Sequence, residues 1–346
     1  MIYLICQDWL NTSNNHAGMK YLCLQLQKRY PESYKCLIID DYYQGFPSNP
    51  VKRKIHSYVS MFKYNKRMRG VFKQLSALVQ DGDKVILMEY MERLPPQLYL
   101  AKKLKQSFPK ISLYGLVHLV PEKMESSFSK EEFTDWTSCV DKIMTLGSSL
   151  SSYFISKGIP EDNILTTFHY VDNEYYKRTK DVQTGDNIRV IAMGNQMRNV
   201  DLLKRIVRSL PSVYFTICQG VGNMEKDFED CKNVELIPFV PEDELKAYME
   251  QADISLNVMK DTIGSNVIVT SMAMGLAMIC SDVGSIRDYC SEDNCIFCDN
   301  QAESFIKAIS VLVNEVDTTH NMKLRSLAYA DTLTIDSFAC RFLEHY

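Results

Sequence analysis

The sequence predicts an α/β protein made of two doubly wound, Rossmann-like domains. Three observations lead there. Short apolar runs recur along the 346 residues, most of them followed by a helix-period segment, and that rhythm makes parallel sheets covered on both faces. One polar, aperiodic stretch interrupts it, residues 173–187 (NEYYKRTKDVQTGDN), where Gly185-Asp186 reads as a turn. The chain is also long enough for two sizeable cores. The expected division is a first domain over 1–172, a linker over 173–187, a second domain over 188–330 and a terminal helical segment over 331–346.

The elements follow in order. Residues 2–6 read as a buried strand, a polar loop covers 8–17, and Gly18 leads into a helix over 19–28. Further strands are expected at 36–39, 84–90, 112–119, 142–146 and 164–168, with helices near 130–140 and at 148–156. Residues 51–76 hold eight Lys or Arg and no acid. On a helix Met61, Tyr64, Met68, Val71, Leu75 and Leu78 form one apolar stripe, with Lys63, Lys66, Arg67, Arg69 and Lys73 opposite. The plain reading is a helix packed on the first domain with a solvated basic face. The sharper one is docking on an anionic membrane, worth about 1 kcal/mol per basic residue near the surface.

The second domain opens at 188–193 and continues with strands at 213–219, 234–239, 254–259, 277–281 and 295–298, then a helix over 302–314. The tail 322–346 reads helical, with Ser337 as a break or cap. Residues 254–290 organise the rest. Ser265 is a good N-cap, the helix 266–274 ends on Gly275, and a capped helix start aims backbone N–H groups outward as a seat for phosphate.

Composition excludes several classes. A formal charge of −4 argues against nucleic acid as a partner. No apolar run is long enough for a membrane span, and the N-terminus lacks the basic n-region of a signal peptide. Eleven scattered cysteines fit reduced thiols in a cytosol. Cys295-Ile-Phe-Cys298 has no second pair and no nearby His, so core thiols fit better than zinc or redox chemistry. Asp81-Gly-Asp83 resembles a metal-binding DxD but precedes a strand instead of following one, so a turn explains it and no metal is expected. No GxGxxG opens a helix after a strand, which disfavours a dinucleotide-dependent oxidoreductase.

Several stretches carry a resemblance. They are Leu146-Gly-Ser-Ser through Gly158-Ile-Pro160 and Tyr170-Val-Asp172; Val190-Ile-Ala-Met-Gly194; Gly220-Val-Gly222; Asn233-Val-Glu-Leu-Ile-Pro-Phe-Val240; and Met272-Ala-Met-Gly275 with Asp282-Val-Gly284. Over residues 140–300 the chain resembles glycosyltransferase family 4, a retaining family of GT-B fold that uses nucleotide-activated sugars. The resemblance implies two domains facing a cleft, a donor site in the second, an acceptor site in the first, and a C-terminal helix returning to the first domain. It implies donor contacts from Gly194, Asn195, Arg198, Gly220, Phe239, Thr262, Gly264, Ser265, Asn266 and Thr270. His118 would touch the reacting sugar as the catalytic residue, and His16 and Gly18 would border the acceptor.

The departures are specific. The family's glutamates, eight positions apart, are replaced by Thr262 and Thr270, and a hydroxyl is a poorer partner for ribose than a carboxylate. Asn195 and Arg198 stand near the family's Arg and Lys on the diphosphate. The bland alternatives are a capped helix with a wet side for Ser265, Asn266 and Thr270, a satisfied core histidine for His118, and a hinge contact for His169. The expected function is metal-independent transfer of a hexosyl or other sugar from a nucleotide sugar to a glycan or lipid-linked acceptor in polysaccharide or glycoconjugate synthesis. No cofactor is expected, and the expected place is the cytoplasm, with a peripheral seat at the inner membrane face. The alternatives are a degenerate module that binds a nucleotide sugar or a partner transferase without turnover and, less favoured, a sugar-nucleotide epimerase.

Overall fold

The computed structural model describes residues 1–9, 12, 15–40, 47–92, 94–179, 187–220 and 222–343. The Gly185-Asp186 turn expected in the linker, and Val221 between the two glycines, lie outside these. The chain forms two compact units, Met1–Thr167 and Phe168–Tyr346. Among the described residues no helix is long and apolar enough to cross a membrane.

The first unit runs β1 (Ile2–Asp8), α1 (Met19–Arg29), β2 (Tyr34–Asp40), α2 (Pro50–Ser76), β3 (Lys84–Tyr90), α3 (Pro95–Ser107), β4 (Ser112–Val117), α4 (Pro121–Ser127), α5 (Lys130–Thr137), β5 (Lys142–Thr145), α6 (Ser148–Ser156) and β6 (Ile164–Thr166). Its six strands form one parallel sheet in the order β2-β1-β3-β4-β5-β6. Leu4 pairs with Cys36 on one side and Ile86 on the other, so the continuous apolar run of β1 is that of a central strand covered on both faces. Helices α3 and α4 were not legible. Both begin on proline, which reads as a loop breaker yet suits the first helical turn, where its missing N–H is no loss.

Helix α2 starts at Asn49, whose side chain accepts from the N–H groups of Val51 and Lys52 at 3.0 and 3.1 Å. It buries Tyr64, Met68, Val71 and Leu75 as expected, but ends before Leu78. Its first half carries a second stripe that the sequence reading did not separate. Val51, Ile55, Tyr58 and Phe62, at spacings of four and three, are each more than half exposed.

The second unit runs β7 (Arg189–Ala192), α7 (Val200–Ser209), β8 (Tyr214–Gly220), α8 (Glu225–Phe228), β9 (Val234–Pro238), α9 (Glu242–Gln251), β10 (Ile254–Asn257), α10 (Asn266–Ala273), β11 (Ala277–Ser281), β12 (Cys295–Cys298), α11 (Ala302–Asn314), α12 (Val316–Ala330) and α13 (Ile335–Leu343). Its sheet is again parallel, ordered β12-β11-β10-β7-β8-β9. Val190, Phe215, Leu256 and Ile279 from the strands pack with Leu203, Ile206, Phe305 and Ile309 from α7 and α11. Residues 168–172, expected with the first domain, fold with the second. The Val171 N–H donates to the Leu333 carbonyl at 2.8 Å, and the Phe168 ring sits edge-on to Phe338 at 5.9 Å. The tail breaks at 331–334, not at Ser337. The Ser337 N–H donates to Thr334 Oγ1, so Thr334 caps α13.

Candidate functional site

The chain leaves β7 for β8 on one side and later returns to β7's other side with β10. Ligands of open parallel sheets gather at the carboxyl ends of strands where the winding reverses in this way. The loop after β7 and the loop after β10 meet there. The Asn199 N–H donates to the Val258 carbonyl at 2.9 Å, the Lys260 N–H to the Met197 carbonyl at 2.8 Å, and Arg198 bridges to Met259. Gly194 has a φ of +79°, and a Cβ there would stand 3.1 Å from Val267 in the first turn of α10. At the end of β8, Gly220 has a φ of +61° and lies beneath the Asn195 amide, which a Cβ would meet at 2.4 Å. Gly194, Asn195, Gly220 and the start of α10 are thereby brought together from separate stretches of sequence.

Arg198 points inward. Its Nη2 donates to the Cys218 carbonyl at 3.2 Å and its Nη1 faces Met224 Sδ at 3.7 Å. Among the described residues it has no carboxylate partner. Burial lowers its pKa to about 10, so it is still a cation at neutral pH. A partly desolvated guanidinium without an anion is costly to keep.

Ser265 caps α10 as the sequence implies, its Oγ accepting from the Ile268 N–H at 3.3 Å. The loop before it is tightly packed. Thr262 Oγ1 accepts from the Gly264 N–H at 3.0 Å, and the Thr262 carbonyl accepts from the Ser285 N–H at 2.7 Å. Thr270 Oγ1 donates to the Asn266 carbonyl at 2.7 Å. Both threonines are 5% exposed, so both hydroxyls are occupied with backbone and neither stands in open solvent. Asn266, the first residue of α10, is half-buried. Phe239, just past β9, is 59% exposed and offers a bare ring at the same edge of the sheet.

Residues 187–315 match the family model described as Glycosyl transferases group 1. No curated protein matches the sequence. Among solved structures, sucrose-phosphate synthase from Thermosynechococcus elongatus is similar in fold, with a TM-score of 0.77 and 10% identity over 100% of this chain and 98% of that one. Anabaena HepE in complex with UDP and glucose aligns at a TM-score of 0.70 and 11% identity, over 100% and 99%. A Listeria monocytogenes protein assigned as a UDP-N-acetylglucosamine 2-epimerase aligns at 0.62 and 11%, over 99% and 96%. At these identities the structures speak for the fold alone. The second unit thus matches a glycosyltransferase domain model, and the structures add the GT-B fold.

In the first unit His118 lies just past β4, with Nε2 at 2.7 Å from the Met88 carbonyl. Burial lowers its pKa, so the ring is neutral at pH 7. His16 packs on Tyr21, ring centroids 4.4 Å apart. Gly18 begins α1, and a Cβ there would meet the Thr12 carbonyl at 2.7 Å. Asp83 Oδ2 accepts from the Gln80 N–H at 2.7 Å and Asp81 pairs with Lys110 at 2.7 Å, the arrangement of a turn. His169, in the second unit, donates its N–H to the Tyr289 hydroxyl at 2.9 Å.

Two features escaped the sequence reading. Glu89 ends the apolar run of β3, buried beside Gln7, Tyr64 and Gln97 around a small cavity. Its carboxyl accepts from the Gln7 N–H at 2.9 Å and the Cys6 thiol at 3.4 Å, and burial raises its pKa to about 8. A lone acid inside six apolar or aromatic neighbours was the available signal. Tyr289 roofs Gly264, and nothing in its own surroundings marks it.

Proposed function

We propose that the second unit binds a nucleotide sugar at the β7/β10 switch point and that the chain transfers the sugar to a glycan or lipid-linked acceptor bound by the first unit. The observation that carries this reading is Arg198, a half-buried cation with no acid partner among the described residues, held at the strand ends where a phosphate seat is expected. A diphosphate would supply the missing anion. Gly194 and Gly220 let backbone approach it closely, the Ser265-capped start of α10 presents N–H groups, and Phe239 offers a ring for the base. The solved Anabaena neighbour holds UDP and glucose, which makes uridine nucleotides the first donors to test.

In the transfer, the bond between anomeric carbon and diphosphate breaks and the acceptor oxygen bonds that carbon from the same face. The acceptor proton leaves with the nucleoside diphosphate. Charge builds on the leaving phosphate, where Arg198 and the helix dipole stabilise it without a metal. His118 positions a sugar hydroxyl. With Nε2–H directed at Met88, its acceptor atom is Nδ1. The stripe Val51, Ile55, Tyr58 and Phe62, flanked by the exposed Lys52, Lys54 and Lys63, seats the enzyme on an anionic cytoplasmic membrane face.

Thermal shift against UDP, GDP, ADP and their sugars tests the donor site. UDP or a UDP-sugar raises Tm, and Arg198→Met abolishes that rise while leaving the unliganded Tm unchanged or higher. If no nucleotide moves Tm, or the variant responds as the parent does, the reading fails. The buried Thr262/Thr270 pair favours a second reading, a module that binds the donor without turnover. Binding with no donor hydrolysis and no transfer to any acceptor decides for that one.

A further inference from the structure

Behind α10, on the side of β11 and β12, three cysteines from separate pieces of chain converge. Cys280 lies in β11, Cys290 follows the 3₁₀ turn Ile286–Asp288, and Cys295 opens β12. In the parallel register Met278 pairs with Cys295 and Cys280 with Phe297. Alternate residues share a face, so Cys280 and Cys295 point the same way. The turn delivers Cys290 to that face, its N–H bonded to the Ile286 carbonyl at 3.1 Å. The three Sγ atoms lie within 4.8 Å of one another, and all three residues are buried. A fourth sulfur borders them, Met272 Sδ of α10, which accepts from the Cys290 thiol at 3.9 Å and from the Asn294 amide at 3.3 Å.

We propose that Cys280, Cys290 and Cys295 form a binding site for a thiophilic d10 cation, with Cu(I) the ion that fits. A metal–sulfur bond of about 2.3 Å puts three trigonal sulfurs about 4.0 Å apart, so closing the site needs contraction of under about 1 Å. Donor type selects the ion. Three thiolate sulfurs with a neighbouring thioether form a soft set of low coordination number, which suits Cu(I). Zinc takes four ligands, and no histidine or carboxylate joins this group among the described residues. The Cys295/Cys298 spacing is not the source of the site, because Cys298 stands outside the trio. The partners come from the turn and from β11, which the sequence alone does not bring together.

Metal binding needs the thiols deprotonated. Coordination releases the thiol protons to solvent, so affinity rises with pH.

The test is anaerobic titration of the full chain with Cu(I) buffered by bicinchoninate, at pH 6 and pH 8. One equivalent is withdrawn from the chelator, more tightly at pH 8, and Tm rises. Cys290→Ala and Cys295→Ala each lose at least ten-fold in affinity, whereas Cys298→Ala binds as the parent does. Alkylation and peptide mapping of the unsubstituted chain, with and without Cu(I) in enough urea to make the buried thiols reactive, give a readout independent of variant folding. Cu(I) protects Cys280, Cys290 and Cys295 and leaves Cys36, Cys231 and Cys340 open to modification. No withdrawal of copper, equal binding by Cys290→Ala, protection spread over other cysteines, or tighter binding of zinc than copper overturns the proposal.

Discussion

Gly264 lies directly beneath the ring of Tyr289. Its φ is +92°, and a Cβ on it would fall 2.2 Å from two ring carbons. The same ring carries the hydroxyl that accepts from the His169 N–H. Gly264→Ala therefore meets two obstacles at once, a left-handed backbone and a steric clash. The expected loss is about 2–4 kcal/mol in urea unfolding, together with weakened nucleotide binding. Tyr289→Phe keeps the ring and forfeits only the hydroxyl contact, so it should cost about 1 kcal/mol. A fully stable Gly264→Ala would refute the packing described for this loop.

Glu89 predicts a pH dependence. Its carboxyl ionises near pH 8 in the folded chain, against a usual value of 4.5. A raised folded-state pKa contributes stability that is complete below about pH 4.5 and drains away as pH climbs through 8. Glu89→Gln removes that titration. Measured by chemical unfolding, the variant should gain on the parent by on the order of 2–4 kcal/mol between pH 5 and pH 8. A difference that stays flat over this interval contradicts the assignment.

Asp253 and Lys323 make an ion pair at 2.7 Å, with the lysine side chain 0% exposed. Asp253 Oδ2 also accepts from the Arg189 N–H at 3.1 Å. Asp253→Ala takes the carboxylate from a buried ammonium and should cost about 3–5 kcal/mol. Asp253→Ala/Lys323→Met should recover a good part of that loss, since an apolar chain of similar length fills the space without a charge. A double variant no more stable than the single would show that the cost lies elsewhere.

Phe239 serves as a check on the proposed donor site that is separate from Arg198. An exposed ring contributes little to folding, so Phe239→Ala should leave Tm nearly unchanged. If the ring stacks on the base, nucleotide affinity falls by about 1–2 kcal/mol in calorimetry. Unaltered affinity would place the base elsewhere.

Much of the architecture was readable because a parallel strand covered on both faces leaves a run of apolar residues that little else produces. The strands of the second unit fell close to their expected limits, and Ser265 caps α10 as its position implied. What stayed hidden depended on long-range packing. Prolines that open α3 and α4 look like breaks when read locally. Arg198 was legible as a cation at a loop, but not as one folded inward onto the carbonyl of Cys218. Thr262 and Thr270 stood out by position alone, yet only three-dimensional packing reveals that both hydroxyls are spent on backbone. The sulfur of Cys280 meets Cys295 through strand register and that of Cys290 arrives on a turn, which no spacing rule conveys.

The partner of Asp253 has a practical bearing on how this protein can be divided. The family match stops at residue 315, ahead of the helix that carries Lys323. A fragment trimmed to 187–315 would take away the counter-ion of Asp253 and uncover the faces of α10 and β11 on which α12 packs. Anyone excising the second half for crystals or binding assays should carry the chain through α12 at the least.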